Sequence, residues 1–280
     1  MSTDTIPNYL YHYTNIDTLA LILKNRTIRF NSLINMDDLQ ERQVADLETM
    51  AGIVFVSCWT DQKHEIIPMW KMYSSLDAGI RIKMRSFPFE KYEGTPEKLN
   101  HFNGRYAVSG QERYDYTLIS EDEMINQRFW CPDALHAEDN AYLYKVEYTN
   151  DKEKLYPTLF REGDKGKYIK MNLLGKYKSE YWSFQNEWRY LLQCYPDHFT
   201  LNEELQARFV EIATNLIKNG DFKPIFSHID LKISQESFED MEITLAPCVT
   251  EGQRAIVEAL KASYNPNLVI RDSALSGLIR

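Results

Sequence analysis

The sequence predicts an α+β fold. Short β-rich runs are interrupted by single helices and loops instead of alternating strictly with helices, which disfavours a doubly wound sheet. The apolar fraction of 44% and charged fraction of 26% are those of an ordinary globular chain, so disorder is not the starting expectation. Finally, the 10 prolines and 11 glycines are dispersed, with no Gly/Ser linker, repeat or low-complexity tract to mark a boundary. A chain of 280 residues suits one large domain or two small ones and can bury a sizeable core.

Asn8–Tyr13 reads as a short strand, followed at once by Thr14-Asn-Ile-Asp17, a capping-box-like start to an apolar helix ending near Lys24. Thr27–Asn31 is a second strand candidate, and acidic Asp37–Thr49 is expected to be a polar helix. Ile53-Val-Phe-Val-Ser-Cys-Trp59 is the strongest β signal of the first half. Pro68–Tyr73 opens a helix with proline in its first turn, and Gly79–Met84 is the next strand. Residues 86–140, rich in Tyr, Asn and Glu, read as an irregular insertion carried on a single domain spanning 1–280. Order returns at Tyr142–Tyr148, then come a Lys-rich stretch, Lys165–Lys178, and a long strand, Trp182–Cys194. A helix over Leu201–Asn219, strands at Phe226–Leu231 and Met241–Leu245, a helix at Glu251–Tyr264 and a terminal strand at Leu268–Ile270 complete the reading.

Composition narrows the function classes. Thirty-two Lys and Arg against 41 Asp and Glu give a net charge of −9, so the chain as a whole repels phosphate backbones and anionic lipid. The charge is uneven: Asp37–Glu48 holds five acids and one Arg, whereas Arg161–Lys178 holds six bases and two acids. A nucleic-acid role therefore depends on whether the basic stretch borders a pocket, although a solvated helix face is the plainer reading of that stretch. No apolar run reaches the roughly 18 residues of a membrane span and the N-terminus lacks signal-peptide order, so a cytoplasmic protein without membrane partners is expected. The four cysteines are more than 50 residues apart and the histidines are scattered, so no metal site is expected. P-loop, dinucleotide-fold and esterase-elbow glycine motifs are absent.

Three constellations are able to carry chemistry. At Tyr11-His12-Tyr13-Thr14, a histidine and a hydroxyl beside a helix N-terminus suit a sugar hydroxyl or a phosphate; a satisfied core histidine next to a cap is the plainer alternative. Trp70 and Tyr73 lie three apart on one helical face and are able to form two walls of a slot for a planar ring, or else a core-facing stripe. Within a continuous strand, Gln185, Glu187 and Arg189 share one face, a carboxylate between an amide and a guanidinium, which suits a ribose hydroxyl beside developing positive charge; a solvated ion pair is the alternative.

Taken in order, Leu10-Tyr-His12-Tyr-Thr14, Arg29-Phe-Asn31, Asn35 with nearby acids, Val56-Ser-Cys-Trp59, Met69-Trp-Lys-Met-Tyr73, Gly79-Ile-Arg-Ile82, Asn186-Glu187-Trp-Arg189 and Leu268-Val-Ile-Arg-Asp-Ser273 resemble a bacterial family of unassigned function. That family is similar to abortive-infection proteins and is grouped with the ADP-ribosyltransferase superfamily. The first segment and Pro68-Met69 also resemble toxins that ADP-ribosylate thymidine in DNA. The resemblance covers most of the chain outside 86–140. It implies a split-sheet core with flanking helices and NAD as substrate, without a metal. It also implies a catalytic set of His12, Tyr73 and Glu187, with Gln185-x-Glu187 matching the superfamily's spacing. The middle block lacks a clear Ser-Thr-Ser strand, so Tyr73 is taken for that position ahead of Ser57. Further NAD contacts are implied for Tyr13, Thr14, Arg29, Asn35, Trp70, Gln185 and Arg189.

The expected activity is transfer of ADP-ribose to a macromolecule by a toxin or anti-phage effector. RNA or DNA is favoured slightly over protein, with a single strand cradled by Lys165–Lys178, and a neutralising antitoxin protein is an expected partner. Two alternatives are an NAD glycohydrolase that depletes the cofactor and a non-catalytic nucleotide- or protein-binding module. On the first reading, Glu187→Ala or Glu187→Gln is expected to abolish transfer while leaving the fold intact.

Overall fold

The computed structural model describes residues 5–46, 48–93, 116–127, 129–131, 142–163, 166–196 and 226–280. Its centre is a nine-stranded sheet. The strands are β1 (Tyr9–Asn15), β2 (Thr27–Ser32), β3 (Val54–Thr60), β4 (Gly79–Arg85), β5 (Leu143–Lys145), β6 (Glu187–Gln193), β7 (His228–Lys232), β8 (Glu242–Leu245) and β9 (Val269–Arg271). The sheet is mixed: β8 and β9 run parallel, and the other pairs are antiparallel. Helices α1 (Ile16–Asn25), α2 (Ile67–Tyr73), α3 (Glu121–Gln127), α4 (Lys152–Leu155), α5 (Gln235–Glu239) and α6 (Glu251–Tyr264) accompany it. The architecture is α+β, as the interrupted strand pattern predicts.

The central strands β3, β4 and β6 are buried along nearly their whole length, which is why they read as continuous apolar runs. β2 instead alternates, with Ile28, Phe30 and Ser32 inward and Arg29 and Asn31 outward. One edge of β3 pairs with β6 over all seven residues. Its other edge divides: Phe55 and Val56 pair with β2, while Thr60 pairs with Tyr11 of β1. The sheet splits between these contacts, opposite Ser57, Cys58 and Trp59, and a cleft opens there.

Helix α1 is capped by Asn15, whose side chain accepts the Thr18 N–H at 2.8 Å, and ends at Arg26 in the left-handed region. The capping residue is thus Asn15 and not Thr14, which is the buried penultimate residue of β1. Leu19, Ile22 and Leu23 pack into the main core with Trp59, Ile80, Ile82 and Tyr190. Burying each such side chain contributes about 1.5–3 kcal/mol.

Several expectations fail for identifiable reasons. Asp37–Thr49 is not a helix; its described residues are turns leading to a 3-10 helix at Glu48–Ile53. The polar side chains bind backbone in ways that compete with a helix: Asp38 Oδ1 accepts the Gln40 N–H, and Asp46 accepts those of Leu159 and Phe160. The expected long strand at Trp182–Cys194 begins only at Glu187. Glu180–Gln185 is a 3-10 helix, and Asn186 at φ 42° turns the chain into β6, a conformation asparagine tolerates better than most residues. Lys165–Lys178 is not a helix face either: it spans part of a hairpin (Phe160–Gly163 with Gly166–Ile169), a 3-10 turn and the short strand Tyr177–Ser179.

Within 86–140, the described residues include the strand pair Tyr92–Glu93 with Tyr116–Thr117, and helix α3. Leu118, Ile119, Met124 and Phe129 belong to the main core. The expected helix at Leu201–Asn219 lies outside the described residues. No helix among the described residues is long and apolar enough to cross a membrane.

Candidate active-site cleft

His12 sits where the sheet splits. The carbonyl of Cys58 has no strand partner across the gap among the described residues, and His12 Nδ1 approaches it at 2.8 Å. A carbonyl oxygen only accepts, so Nδ1 carries the proton. Burial lowers the pKa of His12, more than the Cys58 bond raises it, so the ring is held neutral and Nε2 is an acceptor. The imidazole packs against Trp59, with ring centroids 5.1 Å apart.

Four ionised groups lie beneath it in one buried cluster. Glu187 Oε1 accepts from Arg189 Nε at 2.6 Å; its Oε2 lies 3.2 Å from both Arg189 Nη2 and Lys178 Nζ. Glu41, from the turn that replaces the expected acidic helix, pairs with Arg189 and lies 3.1 Å from Lys178 Nζ. All four residues are at least 93% buried. Two acids and two bases bring the net charge to zero, the condition under which buried charges are tolerable. Burial raises the pKa of Glu187, but the charges of Arg189 and Lys178 more than offset it, and the group is held at about 2. Glu187 is therefore a carboxylate throughout the neutral range. It has about four acceptor sites, of which the cluster uses three, and the Cys58 thiol donates to the same carboxylate.

Gly175 completes the support. Its carbonyl accepts Arg189 Nη1 at 3.0 Å, its φ is +74°, which favours glycine, and a Cβ there would lie 2.7 Å from Leu191 Cδ1 and make that side chain shift.

Gln185 connects this cluster to Tyr73. Its Oε1 accepts Lys178 Nζ at 2.9 Å, which fixes the amide so that Nε2 donates to the Tyr73 hydroxyl. Tyr73 consequently keeps its own proton for a ligand. Burial and the nearby Glu187 charge push its pKa up, so it remains a neutral donor. Burial likewise pushes the Cys58 thiol up, with help from Glu187, which makes it a poor nucleophile.

These groups line the first lobe of an open cleft. A second lobe shares His12, Met36, Asp37, Cys58 and Tyr73 with it. Thr14, Arg29, Asn35 and Ser57 line only the second lobe, whereas Tyr13, Gln185, Glu187 and Arg189 line only the first. His12 and Tyr73, at the junction, face both.

Most of the sequence-derived set thus surrounds one cleft, with qualifications. Trp70 does not: it is fully buried, edge-to-face with Tyr13 at 5.0 Å, and its Nε1 donates to Glu65. It is the core stripe, not a slot wall, and of the pair only Tyr73 faces the cleft. Gln185 reaches Glu187's surroundings from the 3-10 helix, not from a shared strand face. Arg189 is wholly enclosed and orients Glu187, leaving no surface for a diphosphate. Tyr13 is mostly buried, and its hydroxyl accepts the Ile66 N–H.

Lys178 belongs to the ion cluster and so is lost to any nucleic-acid cradle. Lys176 lies 3.9 Å from the Tyr144 ring, Lys170 is exposed, and Lys165 and the Lys167 side chain lie outside the described residues. Sequence reasoning missed Glu41 and Lys178 as site residues because each sits in a run of like charge that reads as a surface; the signal available was that the two runs have opposite sign. No protein-family model, curated protein or solved structure matches this chain.

Proposed function

We propose that this chain is an NAD-dependent ADP-ribosyltransferase with an ADP-ribosyltransferase-like split-sheet core, acting as a toxin or anti-phage effector on a macromolecular acceptor. One observation carries the reading: His12, Tyr73 and Glu187, from three distant segments, line the same two-lobed cleft. In this reaction the bond between nicotinamide and ribose C1′ breaks, its electron pair leaves with nicotinamide, and an acceptor nucleophile bonds to C1′ and gives up its proton. The ribose carbon passes through an oxocarbenium-like state. Glu187 holds the ribose 2′-hydroxyl in place of the weakly donating Cys58 thiol and stabilises that charge, a role typically worth about 3 kcal/mol. Tyr73 donates its free proton to the ligand, and His12 Nε2 accepts from a ribose hydroxyl. With Lys178 withdrawn into the cluster, a nucleic-acid acceptor has to rely on the other lysines of its stretch.

The test is incubation of the protein with labelled NAD and, separately, total RNA, single-stranded DNA and cell lysate. A labelled macromolecule is expected from the wild type, abolished by Glu187→Gln and reduced by Tyr73→Phe. Free ADP-ribose without a labelled macromolecule would indicate the glycohydrolase instead. Absence of nicotinamide release from the wild type, or undiminished transfer by Glu187→Gln, overturns the mechanism.

A further inference from the structure

The second lobe has an electrostatic peculiarity. Among its described lining residues Arg29 is the only Lys or Arg, and that guanidinium is already engaged: Nε and Nη2 donate to Asp230 Oδ1 and Oδ2 at 2.9 and 3.0 Å. The pair is built by register, since Arg29 of β2 and Asp230 of β7 are direct cross-strand partners, and both side chains line the lobe. The remaining polar lining includes a second carboxylate, Asp37, and otherwise uncharged groups such as Thr14, Asn31 and Asn35. In a chain of net charge −9, a phosphate-bearing ligand entering this lobe finds its one guanidinium occupied by a carboxylate.

We propose that Asp230 is a specificity-determining residue of the second lobe: it masks Arg29 until a ligand's phosphate or diphosphate takes its place. The exchange replaces one bidentate oxyanion with another on the same fork, the geometry that guanidinium favours for carboxylate and phosphate alike. Both side chains are about a third to a half exposed, so the resting pair is weak and readily displaced. The displaced carboxylate has a second neighbour, since Asp230 Oδ2 lies 4.0 Å from His228 Nε2. The mask penalises ligands that offer this lobe only hydroxyls no more than before, yet lowers affinity for every anion by the strength of the pair it must break. This selectivity rests on the dinucleotide reading for its biological ligand, while its chemistry is testable without transfer.

The experiment is calorimetric titration of the full chain with inorganic pyrophosphate, ADP-ribose and adenosine. Asp230→Asn is expected to tighten pyrophosphate and ADP-ribose roughly three- to tenfold, more at low salt, and to leave adenosine unchanged. Arg29→Gln is expected to weaken both anions, and the double variant to bind them no better than Arg29→Gln alone. Asp230→Ala, which removes the carboxylate without adding an amide, should reproduce the gain. Unchanged or weaker anion binding in both Asp230 variants, or a gain that survives in the double variant, overturns the proposal. Anion tightening without any ADP-ribose transfer upholds the mask and sinks the transferase; transfer with unaltered anion affinities does the reverse.

Discussion

Replacing Glu187 by Gln removes one charge from the buried four-residue cluster and leaves Arg189 and Lys178 facing Glu41 alone. The structure gives the size of the effect in two ways. A carboxyl held at about 2 in place of its ordinary 4.5 contributes about 3 kcal/mol to folding when ionised. Breaking a buried pair by removing one partner costs about 3–5 kcal/mol. The two agree, and against a usual total of about 5–15 kcal/mol the variant should still fold, with Tm lowered by roughly 6–12 °C. The fold is thus expected to survive the substitution at reduced stability, and Glu187→Ala, which also loses the amide's remaining acceptor, is the harsher change.

The sign of the pH dependence follows from the depressed pKa. The stabilisation is fully present above the unfolded value near 4.5 and is lost as pH falls through the folded value near 2. Urea unfolding followed by tryptophan fluorescence should show a gap of about 3 kcal/mol between wild type and Glu187→Gln at pH 7, shrinking to about half by pH 3. A gap that stays constant from pH 7 to pH 3 would refute the claim that Arg189 and Lys178 hold the group ionised.

Other consequences are more local. His12→Phe deprives the Cys58 carbonyl of its partner in the sheet gap and should cost about 1–3 kcal/mol, read as a lower urea midpoint; an unchanged midpoint would mean that water or a neighbour replaces the imidazole without loss. Gly175→Ala meets both a positive φ and the Leu191 side chain, and should cost about 1–3 kcal/mol while disturbing the carbonyl that holds Arg189; wild-type stability in this variant would show that the turn relaxes freely. Tyr73→Phe keeps the ring but deletes the hydroxyl on Gln185; transfer should fall chiefly in kcat, and a change confined to KM would assign Tyr73 to ground-state binding only.

Periodicity and composition suffice for the sheet's central strands, for α1 and for α6, because burial on both faces or on one helical stripe leaves a direct imprint on residue order. Even Glu251–Tyr264 is legible to its boundaries, as Thr250 and Gln253 form a capping box. His12, Tyr73 and Glu187 were legible as residue types on two strands and a short helix. That they face one cleft was not, since it depends on β3 leaving β2 for β1 across the gap that His12 fills.

The ion cluster shows the limit most clearly. Glu41 and Lys178 lie in stretches whose local pattern is that of a solvated surface, and nothing local distinguishes an inward-turned charge from an outward one. Two acids and two bases become stable in the interior only when all four arrive together, each cancelling a penalty the others would incur alone. The same holds for Trp70, whose direction is set by Tyr13 and Glu65, and for Arg29, whose charge is governed by Asp230 some 200 residues away. The sequence alone determined the central strands and the two long amphipathic helices and which residue types are available for chemistry. Tertiary structure decided which of them meet, because burial energies and charge compensation are properties of neighbours in space.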